Sequence, residues 1–107
     1  MSETAREIIE QMPNFLQPAE AGDLKADIQF KFTGLEPGNY FVHVEGGKST
    51  FNEGLSANPR TTLNCKSEVW QAIIGGTMDA FQAFMKGNLK VEGDMTIALR
   101  LQKIFKV

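Results

Sequence analysis

Apolar and polar residues alternate along five stretches of this chain and recur at helical spacing along four others. Ile28, Phe30 and Phe32 interleave with Asp27, Gln29, Lys31 and Thr33. That period of two predicts a strand over Ala26 to Thr33 with one buried and one wet face. A turn at Leu35-Glu36-Pro37-Gly38 separates it from a second strand, Asn39 to Glu45, with Tyr40, Val42 and Val44 on one side. Gly46-Gly47 suits a two-residue hairpin into a third strand, Lys48 to Asn52. A fourth, Arg60 to Cys65, carries Thr61, Leu63 and Cys65 on one face, and a fifth, Asn88 to Glu92, carries Leu89 and Val91.

The helical spacings come with end signals. Thr4 followed by Glu7 reads as a capping box, opening a helix to Met12 whose Ala5, Ile8, Ile9 and Met12 make one stripe before Pro13 ends it. Phe15 and Leu16 are expected as a short helical turn docked on the core, and residues 17–23 as loop. Ser67 is expected to cap a helix over Glu68 to Ile74, Thr77 one over Met78 to Met85, and Asp94 one over Met95 to Phe105. Gly75-Gly76 and Gly87 are the corresponding stops. Strands that cluster and helices that cluster indicate an α+β fold, and one apolar face per strand indicates helices on one side of the sheet.

The last helix is too apolar for a surface helix. Placed at 100° per residue, Thr96, Arg100, Lys103 and Lys106 share one polar arc, and the apolar residues from Met95 to Phe105 spread over about 220°, against the roughly 100° stripe that packing on one sheet needs. The helix before it, with Phe81, Phe84 and Met85, is also apolar over more than one stripe. Spare apolar wall on both sides of one strand is what a pocket for an apolar ligand would use; mutual packing of the two helices is the plainer alternative.

Ala83-Phe84-Met85-Lys86-Gly87-Asn88-Leu89-Lys90-Val91-Glu92-Gly93-Asp94-Met95, followed by Ala98-Leu99-Arg100-Leu101-Gln102, resembles the C-terminal signature of the sterol carrier protein type-2 domain. That signature reads approximately A-F-x-x-G-K-L-K-I-x-G-x-M-x-x-A-x-x-L-Q. The chain departs from it at Asn88, where the family has lysine, and mildly at Val91. With the element order, the resemblance extends over residues 24–105. It implies a five-stranded, mostly antiparallel sheet covered on one face by about five helices, with an apolar tunnel between them. It also implies a non-enzymatic carrier of fatty acids, acyl-coenzyme A, phospholipids or sterols, without a cofactor. The expected tunnel walls are Phe81, Phe84, Met85, Met95, Ala98, Leu99 and Phe105, with Gln102 as the polar group that meets a headgroup. The second reading is an accessory protein that docks on lipid- or isoprenoid-modifying enzymes and presents their substrate.

Bulk properties narrow the classes. The 107 residues are read as one domain, 1–107. A net charge of −2 argues against a nucleic-acid partner. The charge is unevenly placed: residues 1–85 carry six Lys/Arg against eleven Asp/Glu, whereas residues 86–107 carry five against two. That basic end fits transient contact with an anionic membrane or, more simply, a solvated face. No apolar run approaches the roughly 18 residues of a membrane span. The N-terminus lacks a signal-peptide layout, and Phe105-Lys106-Val107 poorly matches a peroxisomal tripeptide, so a cytoplasmic location is the expectation.

Catalytic and metal chemistry is sparse. His43 is the only histidine and Cys65 the only cysteine, which excludes an internal disulfide and a cysteine-built metal site. His43 is expected on a strand surface and Cys65 as a buried, inert thiol. Gly46-Gly47-Lys48-Ser49-Thr50 echoes a nucleotide phosphate loop, but Val42 stands where its first glycine belongs and no helix follows. Trp70 is expected in the core.

Overall fold

The five alternating stretches pair into one sheet, in a computed structural model that describes residues 3–106; Met1, Ser2 and Val107, the last of which closes the C-terminal tripeptide, lie outside the described residues. The strands are β1 (Ala26–Thr33), β2 (Gly38–Glu45), β3 (Lys48–Glu53), β4 (Thr61–Lys66) and β5 (Leu89–Gly93), in the spatial order β3-β2-β1-β4-β5. The β1–β2, β2–β3 and β4–β5 pairings are antiparallel and β1–β4 is parallel. Two tight connections make the antiparallel half. The Gly46-Gly47 hairpin has φ of 60° and 74°, the left-handed pair that a two-residue turn matched to strand twist requires. The parallel pair arises because residues 54–60 leave the β3 edge, cross the outer face of the sheet, and enter β4 beside β1.

That crossing changes one sequence expectation. The alternation puts Gln29 on the wet face of β1, yet it is buried. Its amide donates to Tyr40 O at 2.9 Å and Gly54 O at 3.0 Å, and its oxygen accepts from Ser56 N at 2.7 Å. A buried amide is tolerable only when its donors and acceptors are met, and the crossing loop meets them. The neighbouring Asp27 accepts from Ser56 Oγ at 2.5 Å and contacts His43 Nδ1 at 2.6 Å.

Register carries Ile28, Phe30 and Phe32 opposite Thr61, Leu63 and Cys65 on β4, and these opposite Gly93, Val91 and Leu89 on β5. This is the core face, and the helices cover it. α1 (Ala5–Gln11) buries Ala5, Ile8 and Ile9 and has the full capping box, Thr4 Oγ1 accepting from Glu7 N at 3.1 Å and Thr4 N donating to Glu7 Oε1 at 3.0 Å. Arg6 anchors it over β2–β3 through an ion pair with Glu53, its guanidinium 5.7 Å from the Tyr40 ring and 5.5 Å from Phe51. A 3-10 turn, Met12–Phe15, follows, and the expected loop 17–23 contains a one-turn helix, α2 (Pro18–Ala21), opened by the proline whose missing N–H is no loss at that position.

The remaining helices are α3 (Ser67–Ile74), α4 (Ala80–Met85) and α5 (Met95–Ile104). Two expected caps move. Ser67 is the first residue of α3, behind Lys66 at the cap, and its buried hydroxyl accepts from Glu36 N at 2.9 Å, tying the β1–β2 turn to the helix. Thr77 instead donates to Ala72 O at 3.2 Å, and Asp79 caps α4, Oδ2 accepting from Gln82 N at 2.9 Å. Asp94 caps α5 as its sequence position indicates, Oδ1 accepting from Thr96 N at 2.9 Å. Among the described residues no helix is long and apolar enough to cross a membrane.

Candidate functional site

A cleft of about 210 Å³ opens between α4 and α5. Its floor is laid by the sheet and α3. Leu63 and Val91 are register partners on β4 and β5, Leu89 follows on the same face, and Trp70 and Ile73 come from α3. The floor is packed from beneath: the Trp70 ring lies 5.3 Å from Phe30 and 6.3 Å from Phe32, both at tilted angles that suit aromatic packing.

The walls come from the two over-apolar helices. In α5, Ile97, Leu101 and Ile104 are buried against the sheet, whereas Met95 and Leu99 are exposed, Leu99 by 71%. The wide apolar arc is therefore used on two sides, one for the core and one for the cleft. In α4 only Ala83 is buried; Phe81 is 61% exposed and Phe84 is open as well. Among the eight exposed large apolar side chains of the described residues, five lie on α4 and α5. Four of these, Phe81, Phe84, Met95 and Leu99, line the concavity; scattered exposed leucines need no explanation, whereas apolar side chains grouped around a concavity are the kind of surface that binding uses.

Six of the eight residues expected from sequence meet at this cleft: Phe81, Phe84, Met95, Ala98, Leu99 and Gln102. Two do not. Met85, the last residue of α4 and 68% exposed, is not among the cleft's lining residues. Phe105 leaves the end of α5 in an extended conformation, bridges Leu16 as a strand would, and is fully buried. A helical wheel extended to residue 105 assigns it to the cleft; the helix stops at Ile104, so its side chain turns into the core. The cleft has exposed walls, in place of the enclosed tunnel that the family resemblance implies. Leu63, Leu89 and Val91 escaped the sequence reading as lining residues, although their alternation placed them on buried faces. What was missing was the β4–β5 pairing beneath the cleft.

Polar groups enter at one end only. Gln102 on α5 and Asp79 at the start of α4 line the cleft, and both also line an adjoining polar recess of about 320 Å³ formed with Gly76, Thr77 and Met78. The reactive side chains lie elsewhere. Cys65 is on the core face, its thiol pushed up to about 12 by burial, so it holds its proton and is a poor nucleophile. His43 is on the outer face, with Nδ1 on Asp27 and Nε2 3.0 Å from Glu45 Oε1. The hydrogen bond to Asp27, then that to Glu45, raises its pKa above the ordinary 6.5. The sheet separates the two, so they do not form a thiol–imidazole pair.

Comparison with known proteins gives a consistent picture. A family model described as the SCP-2 sterol transfer family matches residues 7–106. Hydroxysteroid dehydrogenase-like protein 2 of Xenopus tropicalis is 36% identical over 77 residues, 71% of this chain; the chain spans only 18% of that relative. The palmitated sterol carrier protein 2-like 2 of Aedes aegypti superposes with a TM-score of 0.77 at 22% identity, over 100% of this chain and 96% of the other. The stereoselective inverting sec-alkylsulfatase Pisa1 from Pseudomonas sp. contains the same fold, with a TM-score of 0.82 at 15% identity over 96% of this chain and 16% of that one.

Proposed function

The chain belongs to the SCP-2 sterol transfer family, and we propose on that premise that residues 1–107 act as a non-enzymatic carrier that holds the tail of an amphipathic lipid between α4 and α5. The observation that carries the reading is the concentration of exposed apolar side chains around one cleft, in a chain whose other apolar residues are mostly buried. Burying such a surface against an acyl chain or ring system contributes roughly 25 cal/mol per Å², less the entropy of association. The same concentration favours a carrier over a docking accessory, because the open apolar surface surrounds a cavity.

Size bears on how the ligand sits. About 210 Å³ falls below the roughly 300–1,000 Å³ of pockets that enclose a whole small ligand. A long acyl chain therefore needs α4 to move outward. That helix has six residues and only Ala83 buried, so it is the wall with least to lose. Met95 at the mouth adapts to different shapes because an unbranched thioether repacks easily. Fatty acid, acyl-coenzyme A, phospholipid and sterol share the required apolar body.

Loading is proposed to occur at an anionic membrane surface. Phe81 and Leu99 stand at the mouth, Lys86 follows α4, and Lys103 lies one turn beyond Leu99. Exposed apolar side chains with lysines close by in the chain suit a bilayer carrying negative headgroups. The test is native mass spectrometry of freshly purified protein, with extraction and identification of bound material. One lipid per chain is the expected result. A protein that is empty and also takes up neither fatty acid nor phospholipid would overturn the carrier reading.

A further inference from the structure

Two spaces share one boundary in this molecule. The apolar cleft and the polar recess have Ile73, Asp79, Ala80 and Gln102 in common. A lipid whose tail lies in the cleft can thus place its head against the loop that joins α3 to α4. The recess offers the Thr77 side chain and the amide of Gln102, which both donates and accepts. Among the described residues Asp79 is the single charged one lining either space, and neither lining includes a lysine, arginine or histidine.

The position of Asp79 bears on a ligand carboxylate in two ways. The first-turn amides of α4 would be the natural partners for an anion, but Asp79 already takes one of them, its Oδ2 accepting from Gln82 N at 2.9 Å, and sets its charge beside the others. The ligand then meets a like charge with no cation in the lining to offset it. The lysines of the basic end, Lys86, Lys103 and Lys106, lie outside both linings, so none of them stands beside a head in the recess as Asp79 does.

We propose that Asp79 is a specificity-determining residue, setting the cleft to take lipids with neutral, hydrogen-bonding heads (alcohols, primary amides or glycerol esters) in preference to free fatty-acid anions. This rests on the carrier reading and narrows it. The preference follows from a like charge with no cation beside it in the lining, since the Gln102 amide can meet a head of either kind. Asp79 is itself exposed, so the effect is that of a like charge about 4 Å away in water at low salt, about fivefold in affinity.

The test compares ligands with one tail and different heads. Palmitate, palmitamide and monopalmitoylglycerol are titrated into the full chain at neutral pH and low salt, by calorimetry or by Trp70 fluorescence. The two neutral lipids should bind about fivefold more tightly than palmitate, and raising the salt concentration should narrow the ratio. Asp79→Asn removes the charge but keeps a side chain that caps a helix equally well; it should tighten palmitate selectively and bring the ratio to within about twofold. Palmitate binding as tightly as the neutral lipids in the unaltered protein, or an equal shift of all three ligands in D79N, overturns the assignment to Asp79. Failure of every ligand to bind the unaltered protein would instead refute the carrier reading itself.

Discussion

Replacing Leu99 with glutamine separates function from folding at one position. Full burial of a leucine side chain is worth about 1.5–3 kcal/mol. Leu99 is 71% exposed in the free protein, so about 1–2 kcal/mol of that is left for a ligand to realise. At 1.4 kcal/mol per factor of ten, Leu99→Gln should weaken lipid binding about five- to thirtyfold. The folded protein loses little, because glutamine is a good helix former and substitutions at exposed positions usually stay within about 0.5 kcal/mol. The melting temperature should therefore stay within about 4 °C. Leu101, two residues on and 3% exposed, is the control. Leu101→Gln puts an amide in the core and should lower stability by about 2–5 kcal/mol. Binding is read by titration of an acylated ligand against Trp70 fluorescence, since that indole forms part of the cleft floor, and stability by thermal melting. A folded L99Q protein that binds as tightly as the unaltered one would place the ligand elsewhere. An L99Q protein as destabilised as L101Q would mean that Leu99 is packed, and the description of the cleft wall would fail.

Exchanging Lys103 and Lys106 for glutamate should slow lipid transfer to anionic vesicles at low salt, with the difference fading as salt is added; an unaltered rate assigns those lysines to a solvated face. His43, held between Asp27 and Glu45, has its folded pKa raised above 6.5. Its contribution to stability is thus fully present below about pH 6.5 and is lost as pH rises through the folded value. The urea midpoint of the unaltered protein should fall over that range more than that of His43→Gln, and equal pH profiles would refute it. Gly93 has φ of 85°, and a Cβ there would lie 2.5 Å from the Arg60 carbonyl oxygen. Gly93→Ala should cost at least about 1–2 kcal/mol in chemical denaturation, from a backbone conformation alanine resists and a contact it cannot avoid; a cost below about 0.5 kcal/mol would contradict the close approach of β5 to Arg60.

Local order in this protein is written in local chemistry. The Thr4–Glu7 box, the strand alternation and the Gly46-Gly47 hairpin depend on neighbours within a few residues, so the sequence alone determined them. The wide apolar arc of α5 also declared itself, because periodicity counts faces without knowing what covers them. Six of the eight expected wall residues meet at the cleft for that reason. What covers each face is a non-local fact. The crossing of residues 54–60 buries Gln29, which its own strand would leave wet. The end of α5 at Ile104, with Phe105 drawn into a bridge with Leu16, removes from the cleft a phenylalanine that the helical wheel assigned to it. The register of β5 on β4 supplies a floor of Leu63 and Val91 from residues some thirty positions apart. Tertiary packing alone decided which apolar surplus became core and which stayed open for a ligand, because burial depends on what other parts of the chain are brought against each face.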